Sequence, residues 1–140
     1  MTTNHFTATF SVNPPPAVVY AAINDVRSWW LGDITGSTQA VGDVFTYRSG
    51  DLHESTHQIV ELTEASRVVW LVTGARLTFT SRPDEWVGTT IVFDIRSTAD
   101  GSEVHFEHHG LDPSLECFDG CSEGWTYFLL QHLQPRIDTR

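Results

Sequence analysis

The chain has 140 residues, 40% hydrophobic and 11% aromatic, enough for one domain spanning 1–140 that buries about two-thirds of its unfolded surface. Its formal net charge is -10, from 18 acids against 8 bases that are all arginine, so no basic patch is available and nucleic acid and anionic membrane surfaces are excluded as expected partners. The apolar stretches at Val18–Ile23 and Val68–Val72 are too short to span a bilayer, and Met1 to His5 carries neither a basic region nor an apolar signal core, so a cytoplasmic protein without membrane insertion is expected.

Phe6, Ala8, Phe10 and Val12 alternate with polar neighbours, the pattern of a half-buried strand. Pro14 to Pro16 end that strand and open a short helix whose apolar positions are Val18, Val19, Ala22 and Ile23. A second short helical turn, Asp25 to Trp30, breaks at Gly32. Alternating runs follow at Val44–Tyr47, His53–Leu62, Arg67–Thr73, Leu77–Thr80, Gly88–Ser97 and Glu103–His109, separated by turn formers such as Ser49-Gly50, Glu64-Ala65-Ser66 and Ala99-Asp100-Gly101. These are hairpin signals and predict an antiparallel meander. From Ser114 to Leu133 the spacing predicts one helix about 30 Å long, with Asp112 as N-cap, Pro113 in its first turn and Gln134-Pro135 as its stop. Phe118, Cys121, Trp125, Phe128 and His132 share one face of it.

Cys117 and Cys121 stand four apart on that helix, a spacing that strains a disulfide and differs from the Cys-x-x-Cys of common zinc sites. They read as small buried hydrophobes, and no metal or other cofactor is expected. The chain contains no Gly-x-Ser-x-Gly elbow, phosphate-binding glycine loop or His-Glu-x-x-His pair, so no catalytic residue is assigned.

Five segments, Phe10-Ser-Val-Asn-Pro-Pro-Pro-Ala-Val-Val-Tyr with Trp29-Trp30, Val69-Trp-Leu-Val-Thr, Glu85-Trp-Val-Gly-Thr, His108-His-Gly-Leu and Cys117-Phe-Asp-Gly-Cys-Ser-Glu-Gly-Trp, carry a resemblance over nearly the whole chain. In order and spacing it resembles the START-like, or SRPBCC, superfamily, and within it the group named for the C-terminal domain of the heat-shock-protein-90 ATPase activator. The resemblance implies an α+β helix-grip fold. A curved antiparallel sheet of about six to seven strands would wrap around the long C-terminal helix, with two short helices after the first strand. The fold hosts lipid carriers, receptors, cyclases and co-chaperone domains, and by itself selects none of them.

Such a fold implies a cavity between sheet and terminal helix. Ile91, Phe93 and Ile95 share one strand face and Val104, Phe106 and His108 another, and both faces would look at Trp125 and Phe128. His53, Ser55 and His57 share a face with Ile59. Rigid aromatic walls with a few polar groups suit a preformed pocket for a small apolar or amphipathic molecule. The expected ligand contacts are Trp29, Trp30, Phe45, Tyr47, His57, Trp70, Phe93, Phe106, His108, Trp125 and Phe128. Arg27 and Arg82, beside tryptophans, read first as solvated surface arginines and second as guards of a cavity mouth that would pair with a ligand carboxylate, and Gly120 and Gly124 would admit a neighbouring backbone or bend the helix. The leading expectation is hydrophobic-ligand binding by a monomer or homodimer. Two alternatives stay open: cyclase or hydratase chemistry on a hydrophobic substrate using a cavity acid or base among His57, His108, Glu61 and Tyr47, of which a histidine fits neutral pH, and a co-chaperone-like interaction module.

Overall fold

Alternation decides the sheet. In the computed structural model, which describes residues 5–138, seven strands form one antiparallel sheet: β1 (Phe6–Val12), β2 (Asp33–Gly36), β3 (Val44–Ser49), β4 (His53–Thr63), β5 (Arg67–Leu77), β6 (Thr90–Thr98) and β7 (Gly101–His109). The segment Met1–Asn4, which carries most of the leader reading, lies outside the described residues. The order across the sheet is β1-β7-β6-β5-β4-β3-β2, a meander whose far edge is closed by the first strand. Phe10 and Val12, Phe45 and Tyr47, Val68, Trp70 and Val72, Ile91, Phe93 and Ile95, and Val104 and Phe106 all point into one core. Register shifts between β4 and β5, at Thr56/His57 and Ile59/Glu61, bend the sheet around that core while keeping Ser55, His57 and Ile59 buried.

Two strand boundaries differ from expectation. Leu77–Thr80 is not a separate strand, since Leu77 closes β5 and Thr80 Oγ1 donates to the Leu77 carbonyl in a turn. β2 takes its place in the count, held against β3 by the pairing Asp33↔Arg48 through Gly36↔Phe45. Arg27 donates to the carbonyls of Ile34 and Gly36, so it fastens this edge strand and does not stand at a cavity mouth.

Helix α1 (Pro16–Asn24) and a 3-10 turn (Val26–Ser28) follow β1, as the prolines predict, and bury Val19, Ala22, Ile23 and Val26. The terminal helix runs as α2 (Phe118–Phe128), a π turn (Leu129–Leu133) and α3 (Gln134–Asp138). It therefore starts later than Ser114 and continues through Pro135. Asp112 Oδ1 is occupied by Ser114, whose backbone N–H it accepts at 2.8 Å, so it caps an isolated turn. The N–H groups of Glu116 and Cys117 instead meet the carboxylate of Glu85, from the β5–β6 loop. Proline is tolerated at 135 because the wider π turn just before it relieves the clash and the missing donor that break an ordinary helix.

The buried face of this helix is Cys117, Cys121, Trp125, Leu129, Leu133 and Ile137. Phe118, Phe128 and His132, expected on the same face, are only half-buried. A four-residue step overshoots a 3.6-residue turn by about 40°. The wider winding of the π turn takes up that drift and keeps Leu129 and Leu133 on the sheet.

Candidate functional site

A cavity of about 270 Å³ opens between β3, β4, the β5–β6 loop and α2. Its walls are aromatic because three elements deliver rings to one place. Trp30, two residues past the 3-10 turn, lies flat on Tyr47 of β3 with ring centroids 3.9 Å apart and an interplanar angle of 8°. Trp125 of α2 lies parallel to Trp86 of the β5–β6 loop at 6.0 Å and meets Trp30 at 5.0 Å. Phe128 closes the helix side, and the exposed Leu52 and Phe79 form the rim.

The floor comes from the helix backbone. Gly120 and Gly124 line the cavity, and a Cβ built on either would meet no atom within 4 Å. Among the described residues no neighbouring backbone approaches them, contrary to the close-approach expectation; their missing side chains leave the space open. Replacing either by alanine would favour the helix by about 1 kcal/mol.

Of the residues expected at the ligand, Trp30, Tyr47, Trp125 and Phe128 line the cavity. Trp29, Phe45, His57, Trp70, Phe93, Phe106 and His108 lie outside its lining, in the core. Trp29 stacks parallel to both Trp30 and Trp70, so it backs the wall. Ser49, Leu52, His53, Phe79, Trp86 and Cys121 also line the cavity and were not among the expected contacts. Trp86 and His53 carried a signal, as one of five separated tryptophans and as the first polar residue on an inward strand face. Leu52 and Phe79 carried none, since they flank turns.

The polar groups form two short chains. His108 Nδ1 accepts from Trp125 Nε1–H at 3.0 Å, and His108 Nε2 meets Thr89 Oγ1 at 2.8 Å. The Thr89 hydroxyl gives its one proton to the Trp86 carbonyl at 2.6 Å, so His108 must donate through Nε2. The imidazole is thus neutral in a fixed tautomer, and burial holds its pKa down to about 3. With both nitrogens occupied, it orients Trp125 from behind.

In the second chain, Ser55 Oγ lies 2.9 Å from His53 Nε2 and 2.8 Å from His57 Nε2. One hydroxyl proton serves one ring, so the other must supply its own N–H. Burial pushes His53 down to about 4 and His57 well below the usual histidine range. His57 Nδ1 is buried without a hydrogen-bond partner among the described residues. His53 is the histidine at the cavity surface, set edge-on to Trp86 at 4.7 Å.

Both cysteines are buried and free. A hydrogen bond between them lowers the Cys117 pKa and raises that of Cys121, so the pair holds its second proton tightly. The indole N–H of Trp86 faces these sulfurs and finds no nitrogen or oxygen partner among the described residues.

A curved seven-stranded antiparallel sheet gripping a long terminal helix, with a cavity between them, defines a START-like helix-grip protein. The chain belongs to the activator of Hsp90 ATPase homolog 1-like family, whose profile matches residues 13–137. Among solved structures it is similar to the Aha1 dimer from Colwellia psychrerythraea, with a TM-score of 0.79, 22% identity and 96% of each chain covered. It is also similar to protein MLL2253 from Mesorhizobium loti, with a TM-score of 0.76, 17% identity, 95% of this chain and 96% of that one covered. DynU16, described as a putative protein in the dynemicin biosynthetic locus, matches at a TM-score of 0.70 and 16% identity over 99% of this chain and 48% of its own. No curated protein matches the chain. Family and fold support a ligand-binding or co-chaperone-like module. No helix among the described residues is long and apolar enough to cross a membrane.

Proposed function

We propose that the protein binds a small, largely apolar molecule with one polar end in the cavity between sheet and α2. The observation that carries this reading is the pair of glycines facing open space, Gly120 and Gly124, opposite the stacked rings of Trp30 and Tyr47. A side chain at either position would project into this space, and the bare helix backbone leaves room for a ligand against the rings. The apolar body of the ligand lies against Trp30, Trp125 and Phe128, and its polar end reaches His53. A histidine held neutral down to about pH 4 suits hydrogen bonding better than proton transfer at neutral pH, which favours binding over cyclase or hydratase chemistry.

Replacing Gly124 with leucine fills the cavity from the helix side while keeping a good helix former. Amphipathic aromatic probes should raise the Tm of the wild-type protein and quench its tryptophan emission, and G124L should do neither while folding normally. Probe binding that survives in G124L places the ligand elsewhere.

The co-chaperone-like reading is favoured by one observation, the exposed Leu52 and Phe79 at the cavity rim, 62% and 49% accessible. An apolar rim of this kind also suits a protein partner, or a second copy of the chain as in the Aha1 dimer. Sedimentation of wild-type protein against L52E/F79E separates the homodimer from the monomer.

A further inference from the structure

The outward face of β1 and β7 carries a cluster that the cavity does not use. In β7 the alternation of side chains turns His105, Glu107 and His109 to the same side, opposite the buried Val104, Phe106 and His108. The pairing of β1 with β7, with Phe6 opposite His108, sets His5 across the ladder from His109. Glu107 then lies between two imidazoles, with one carboxylate oxygen for each: His5 Nε2 is 2.9 Å from Oε1, and His109 Nε2 is 3.1 Å from Oε2. The His5 and His109 rings are 4.5 Å apart. All three donor atoms fall within 4.8 Å of one another.

We propose that His5, Glu107 and His109 form a binding site for a divalent transition-metal ion of the zinc class. A tetrahedral ion with bonds of about 2.0–2.1 Å places its donors roughly 3.4 Å apart, a spacing that the three donor atoms, all within 4.8 Å of one another, can reach by closing around one carboxylate oxygen or both. Two imidazoles and a carboxylate are the donor set such ions prefer over calcium or magnesium. Two properties of the surroundings fit an ion. His109 is 46% accessible at its side chain while His5 and Glu107 are 12% and 25%, which leaves an entry path on one side only. A further imidazole, His105, has its Nε2 3.7 Å from the same carboxylate and its Nδ1 held 2.7 Å from Thr9 Oγ1, the orienting bond that metal-binding histidines usually make. The cation would also meet the field of a chain with net charge -10.

The ion would clip the first strand to the last. It does not replace the core, which is why no structural requirement for metal is visible in the sequence.

The test titrates zinc into the purified full chain against a chromophoric chelator, with cobalt(II) absorption as a second readout. One equivalent should bind, cobalt should give the intense visible bands of a tetrahedral site, and zinc should raise the Tm by several degrees. H109A and E107Q should each lose at least tenfold in affinity and the cobalt bands. His132→Ala, on the terminal helix, should lose nothing. The Tm of each variant without metal reports whether it has folded. Should E107Q lower that Tm because a hydrogen bond is gone, H109A alone decides. Zinc binding equal in wild type and H109A, or no stoichiometric binding at all, overturns the proposal.

Discussion

The indole N–H of Trp125 ends on Nδ1 of His108, 3.0 Å away, and both groups are buried. This single bond joins the terminal helix to the seventh strand and fixes the plane of a cavity wall. Neither side chain could be packed there without the other, because each would leave a polar atom unsatisfied in the core.

Trp125→Ala should therefore cost about 3–5 kcal/mol in chemical denaturation, from the lost ring and the orphaned imidazole. Trp125→Phe should cost less, because a ring remains. A loss below about 1 kcal/mol for the alanine variant would contradict this placement.

Acid should unfold the protein through its buried histidines. His53 and His108 have folded pKa values of about 4 and about 3, against 6.5 when unfolded. Below pH 6.5 the unfolded chain binds the extra protons, so stability is complete above that pH and is lost on acidification, toward about pH 4 for His53 and about pH 3 for His108. Each group approaches a slope of about 1.4 kcal/mol per pH unit within its window. In urea melts from pH 7 to 4, His108→Gln should show a shallower slope than wild type. Identical slopes would mean that His108 takes its proton without unfolding.

Gly110 follows β7 with φ +99, and a Cβ there would come within 2.7 Å of Thr89 Cγ2. Gly110→Ala should push on the residue that receives the His108 proton, and it should cost about 1–3 kcal/mol. Near-ultraviolet circular dichroism should report altered tryptophan packing, and an unchanged spectrum and Tm would refute the coupling.

Ala65, in the turn between β4 and β5, is the one described non-glycine residue with positive φ, at 59°. Ala65→Gly removes the left-handed penalty at some cost in unfolded-chain entropy, for a net gain of about 0.5–1 kcal/mol. A drop in Tm would show that the alanine methyl makes a contact of its own.

How much of this was legible depends on the range of the interaction. Alternation in β6 and β7 gave the inward faces of Phe93, Phe106 and His108, because side-chain direction in a strand is local. β2 was illegible, since four mostly exposed residues at a sheet edge carry no period. The start of α2 was misplaced because its cap comes from Glu85, 31 residues upstream of Glu116. Gly120 and Gly124 were visible as a pair, but their purpose depends on the rings of Trp30 and Tyr47 that arrive from other elements. His108 was correctly turned inward, and its partner Trp125, 17 residues on, decided that it supports a wall instead of lining the cavity.

The pairing of β1 with β7 carries a cost in time. Phe6 finds its partner at His108 across 102 positions of sequence, so a chain emerging from the ribosome displays a strand with no neighbour until almost all of it has been made. The other six strands can zip as successive hairpins; the first must wait. Such a distant closure slows folding and leaves an open strand edge that neighbouring nascent chains can pair with. A circular permutant that joins the two ends and opens the chain between β1 and α1 would place β1 just after the terminal helix, much closer in sequence to β7, and it should refold faster than the natural order of the same residues.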